Sequence, residues 1–179
     1  MFRKFILKSA AVAAALCWAP AALADGETAT ARSEALAITP LSLVKEQDLD
    51  FGAIIPGTTT GFVTLSPTNT VTTTNGIVVM GTTQNAAFYG YGQFNQNLRI
   101  YLNANQFNLV RAGGTQTMRL DQLTVGSVPP VVLGTAPRTF RIASANGLFR
   151  FTLGGRLRVL ANQMPGTYVG QFAVSVEYL

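Results

Sequence analysis

The apolar residues of this chain recur at every second position, in short runs. GFVTL (61–65), GIVVM (76–80), NLRIYL (97–102), TMRLDQLTV (117–125), TFRIA (139–143), LFRFTLGGRLRVLA (148–161) and TYVGQFAVSVEY (167–178) carry the pattern. Between them stand PGTTTG, SPTN, TNG, RAGG, SVPP, SANG and QMPG, clusters of turn-forming residues. Successive side chains of a strand point to opposite faces, so an alternating run buries one face and wets the other. No apolar stripe at helical spacing persists for three turns. Many short strands separated by Gly, Pro and Asn predict an all-β fold, an antiparallel sandwich or barrel, and we expect the sandwich.

Two runs show how residues specify this. In LFRFTLGGRLRVL, Phe149, Phe151, Leu153, Leu157 and Val159 share one face, and Arg156 and Arg158 belong outside in water. Gly154 and Gly155 interrupt it and predict a bulge or a bend. In ALAITPLSL the phase slips at Pro40: Leu36 and Ile38 share one parity, Leu41 and Leu43 the other. Proline cannot donate to a ladder, so this segment predicts an edge strand or one that changes partner.

The first residues read as a leader. Arg3, Lys4 and Lys8 precede the apolar SAAVAAALCWAPAA, and Ala22-Leu23-Ala24 supplies small residues for cleavage. Residues 1–24 are therefore expected to be a secretory signal peptide, and 25–179 a single exported domain in the periplasm, on the outer surface or in a fimbrium. Removing three basic residues takes 13 to 10 against 8 acidic ones, a net charge of +2. The remaining arginines are scattered, which argues against a nucleic-acid partner. Cys17, the sole cysteine, leaves with the leader, so the domain must rely on packing and hydrogen bonds. No later stretch is long and apolar enough for a transmembrane helix.

The inventory argues against catalysis. The chain has no histidine, and its one cysteine lies in the leader. Ser-His-Asp and Cys-His chemistry are thereby removed, with nearly all zinc or copper sites. Glu46, Asp48 and Asp50 in KEQDLDFG form the only tight acidic group, but no loop-forming glycine stands among the three and no further ligands lie at calcium-binding spacing. A solvated strand face is the expectation there. No enzyme activity, cofactor or metal is expected.

The run PGTYVGQFAVSVEYL (165–179) is the clearest strand signal of all. Tyr168, Phe172, Val174, Val176 and Tyr178 fall on one face, and Thr167, Gln171, Ser175 and Glu177 on the other. Together with ALAITPLSLV (35–44), LDFGAIIPG (49–57) and GFVTLSPTNTV (61–71), the closing GGRLRVLANQMPGTYVGQFAVSVEY resembles the DUF4402 family, a bacterial group similar to chaperone-usher pilins and spore-coat U type fimbrial proteins. The resemblance implies a pilin-like, immunoglobulin-like sandwich lacking one strand, which another subunit or a periplasmic chaperone supplies by strand addition. It implies an exported structural or adhesive subunit of a fimbrial or other surface assembly, with self-assembly as an option. Leu36, Ile38, Leu41 and Leu43, with Tyr168, Phe172, Val174, Val176 and Tyr178, are then the candidate partner-interface residues. A donor would include Ala35 to Val44, and the domain would take its own first strand from about Leu49.

Residues 85–108, NAAFYGYGQFNQNLRIYLNANQFN, suggest two alternatives. Asn, Gln and aromatics together suit stacked cross-β assembly of an amyloid type, or a self-contained sandwich binding glycan. Tyr89, Tyr91 and Phe94 are the stacking candidates, although aromatics of a sandwich more often enter the core.

Overall fold

The structure, a computed structural model, describes Ala35, Ala37 and residues 39–179. The described residues contain fourteen strands and no helix. In chain order these are β1 (Ser42–Gln47), β2 (Ala53–Ile55), β3 (Gly61–Leu65), β4 (Val71–Thr73), β5 (Val78–Met80), β6 (Ala86–Tyr91), β7 (Asn97–Leu102), β8 (Gln106–Arg111), β9 (Thr117–Val125), β10 (Val131–Val132), β11 (Arg138–Arg141), β12 (Leu148–Val159), β13 (Tyr168–Val169) and β14 (Val174–Tyr178).

All pairing is antiparallel. The large sheet runs β1-β6-β12-β9-β8-β13, with β10 beside β9 and the β3–β4 pair beside β12. A three-stranded sheet runs β11-β7-β14, and β2 pairs with β5. Leu98, Ile100 and Leu102 of β7 share one core with Leu120, Leu123, Val125, Leu153, Leu157 and Val159 of the large sheet, a sandwich-like arrangement. No two strands of the smaller sheet are consecutive: β7, β11 and β14 each follow a strand of the large sheet.

β12 organises the large sheet, and its glycines explain how. Leu153 faces Val125 of β9 and Ala86 of β6, whereas Arg156 faces Asp121 of β9 and Thr64 of β3. One edge of β12 therefore serves β6 first and β3 afterwards, while β9 occupies the other. At the changeover a Cβ on Gly154 would lie 2.1 Å from the Leu65 carbonyl oxygen. The bulge lies on the neighbouring strand: Gln122 and Leu123 together oppose Gly155, with Gln122 at φ +49°. This extra residue moves the buried parity of β9 from Met118 and Leu120 to Leu123 and Val125. A Cβ on Gly155 would sit 2.9 Å from Leu120 Cδ1 and 3.1 Å from Leu123 Cδ2.

The run 165–179 is not one strand. Tyr168–Val169 pairs with β8 in the large sheet, and Val174–Tyr178 pairs with β7 in the small one. The chain changes layers through Gly170 to Ala173, and a Cβ on Gly170 would meet the Asn108 carbonyl at 2.8 Å. The first strand also differs from the expectation. It is Ser42–Gln47, paired with β6, so Leu41 and Leu43 pack in their own domain and no strand begins at Leu49. β1 is an edge strand, as the proline predicted.

Candidate functional site

Among the described strands β1 and β14 are both sheet edges, and the chain just before β1 meets the end of β14. At one end the Tyr178 hydroxyl accepts from the Gln93 amide at 2.6 Å and donates to the Thr39 carbonyl at 2.8 Å. Thr39 Oγ1 donates to Gln93 Oε1 at 2.9 Å, which completes the clamp. At the other end Lys45 and Gln47 of β1 line a groove of about 570 Å3 whose opposite wall is Tyr168 to Phe172. Phe88, Phe107 and Leu120 contribute to its apolar lining, and Phe172 packs against Phe107 with ring centroids 5.9 Å apart. A second cavity, about 620 Å3, shares Leu49, Phe51, Leu109 and Tyr168 with it and extends to β2 and β5.

The backbone direction of β14 follows from its bonds to β7. The Asn103 amide donates to the Ala173 carbonyl and the Leu179 amide to the Asn97 carbonyl, so odd-numbered residues bond β7. In an antiparallel pair the alternate residues then point their N–H and C=O groups to the other side. Val174, Val176 and Tyr178 do so, and among the described strands none lies there. Their side chains are half-buried against the core, as are those of Leu41, Leu43, Tyr168 and Phe172. Seven of the nine candidate interface residues thus pack on the same core. Leu36 and Ile38 lie outside the described residues.

The acidic group does not converge. Glu46 pairs with Arg150 at 2.8 Å, Asp48 with Lys45 at 2.6 Å, and Asp50 Oδ1 accepts from the Gly52 amide at 2.9 Å. The described residues hold no cluster of three or more metal-ligating side chains.

Residues 85–108 form β6, β7 and the start of β8. Tyr89 and Tyr91 do not enter the core: they are 47% and 44% exposed on the outer face of β6, and Phe94 is 47% exposed in the following turn. Beside Tyr89, cross-strand, lie Val44 and Arg150, and beside Tyr91 lie Ser42 and Leu148. The Arg150 guanidinium sits 5.5 Å from the Tyr89 ring centroid. Its hydrogen bond to Glu46 raises its pKa above the ordinary arginine value.

The sequence pattern did not expose the Tyr178–Thr39–Gln93 clamp, because its members lie far apart in the chain and each is an ordinary polar residue. Among the described residues no helix is long and apolar enough to cross a membrane. A family model described as "Domain of unknown function (DUF4402)" matches residues 41–178. No curated protein and no solved structure matches the chain.

Proposed function

The chain belongs to the DUF4402 family, and we propose that it serves as an exported structural or adhesive subunit of a bacterial surface or fimbrial assembly, acting by β-strand addition. One observation carries the reading: β1 and β14 are both edges of their sheets among the described strands, and an apolar groove lies between β1 and the segment Tyr168 to Phe172 that leads into β14. An added strand gains main-chain hydrogen bonds from such an edge and specificity from alternate side chains entering the groove. An unpaired edge is otherwise an aggregation hazard. The donor comes from another subunit or from a periplasmic chaperone. Because Leu41 and Leu43 pack in their own domain, a donor from this chain reaches no further than the segment before Thr39, with Leu36 and Ile38 as anchors.

Amide exchange tests this. In the isolated full chain the Val174 and Val176 amides should exchange readily. An excess of a peptide spanning residues 31–38 should protect them, and the same peptide with Leu36→Asp and Ile38→Asp should not. Protection in the monomer before any peptide is added, or equal protection by the altered peptide, overturns strand addition.

A second reading, a self-contained sandwich that binds glycan, is favoured by the exposure of Tyr89 and Tyr91 on one sheet face.

A further inference from the structure

The outer face of the large sheet carries one row that breaks the usual rule of charge pairing. Across four strands the register sets Asn108 beside Arg119, Arg119 beside Arg158, and Arg158 beside Phe62. Two arginines therefore stand directly opposite each other, about 5 Å apart at Cβ, an arrangement that costs stability. The next row reads Gln106, Asp121, Arg156, Thr64 and Thr72. Asp121 is the only carboxylate of the two rows.

That carboxylate is largely committed. Arg156 Nε bonds Asp121 Oδ1 at 2.8 Å, and its guanidinium lies 4.6 Å from the Phe62 ring centroid. Arg119 reaches Asp121 Oδ2 through Nη2 at 3.3 Å, and its own Nε is buried without a partner. Arg158 is exposed and has no acidic partner among the described residues. The two rows thus hold three guanidinium groups and one carboxylate, which only Arg156 and Arg119 reach, leaving two positive charges in excess.

We propose that this face docks an acidic polysaccharide, a sugar polymer bearing carboxylate or sulfate groups, with Arg119 and Arg158 holding the anion. Paired guanidinium groups match the geometry of a carboxylate or sulfate through bidentate charge-assisted hydrogen bonds. Around them Asn108, Gln106, Thr64 and Thr72 offer the amides and hydroxyls that hydrogen-bond sugar hydroxyls. A row with only two excess charges suits spaced acidic groups rather than the dense phosphates of a nucleic acid, which call for a longer basic track. The proposal is independent of strand addition, because the row lies on the outer face and the groove opens to the core.

The test uses the full chain and four probes: polygalacturonate, dextran sulfate, neutral dextran and polyphosphate. Binding is expected to polygalacturonate or dextran sulfate and not to neutral dextran. Arg158→Gln should weaken it at least about tenfold, the loss of one charge-assisted hydrogen bond. Arg158→Glu should abolish binding and raise the melting temperature, because it turns a like-charge pair into an ion pair. A paired control, Arg138→Gln with Arg141→Gln on β11, should leave binding within about twofold, as for charges away from an interface. No binding to either acidic saccharide overturns the proposal. So does equal loss in the control, binding of polyphosphate alone, or a fall in melting temperature for Arg158→Glu.

Discussion

The Tyr178 hydroxyl donates to the Thr39 carbonyl across 139 residues of chain, which fixes the start of β1 to the end of β14. Tyr178→Phe removes that bond and leaves the Gln93 amide without its acceptor. A cost of about 1–3 kcal/mol is expected, because stranding a partly buried partner costs more than the net value of the bond. Thermal melting should show a fall of several degrees, and amide exchange should quicken at Gln93. An unchanged melting temperature would show that the clamp contributes nothing.

Phe172 stands in the layer-crossing segment, half-buried against Phe107. A fully buried phenylalanine truncated to alanine costs about 3–5 kcal/mol. For Phe172→Ala about half of that is expected in denaturant unfolding, because the groove already leaves one side open. A loss at the full value would mean that the groove is closed in solution.

The bulge on β9 and the glycine it faces yield opposite expectations. Gly155→Ala should destabilise by about 1–3 kcal/mol, because its methyl group has no room beside Leu120 and Leu123. Gln122→Gly should stabilise by about 0.5 kcal/mol, since relief of the left-handed backbone at φ +49° exceeds the entropy glycine loses on folding. Chemical denaturation of both variants reads the two signs. The same sign for both would disprove this account of the bulge.

If the sheet face around Tyr89 and Tyr91 binds glycan, the double substitution to alanine should abolish binding on a glycan array without lowering the melting temperature. Both rings are near half exposed, and surface substitutions usually change stability by no more than about 0.5 kcal/mol. Retained binding removes these rings from consideration.

Alternation made the large, well-sided strands legible. Leu98, Ile100 and Leu102 of β7, and Phe151 to Val159 of β12, announce their buried faces at every second position. β6 is faint in the sequence because Ala86, Ala87 and Gly90 carry little apolar signal: they are small since neighbouring groups fill the space, and a Cβ on Gly90 would lie 2.0 Å from Phe149 Cζ. The layer change at Gly170 was invisible because Tyr168 and Val174 face the same core from different sheets, so the parity never breaks. The candidate interface from Tyr168 to Tyr178 was legible as an apolar face. That β14 lies at the edge of its sheet was not, because pairing is a property of register. The opposition of Arg119 and Arg158 is hidden for the same reason.

The separation of β7, β11 and β14 in the chain has a kinetic consequence. Arg138 meets Ile100 across 38 residues and Tyr178 meets Leu98 across 80, so the smaller layer contains no local hairpin that can nucleate early. Loop closure must come before any reward from pairing, and folding slows as contacts become less local. During that interval the inner face of the larger layer stands bare, and a newly made chain is vulnerable to sticking to its neighbours. The time spent half-assembled, as much as the finished shape, is what a companion protein would have to cover.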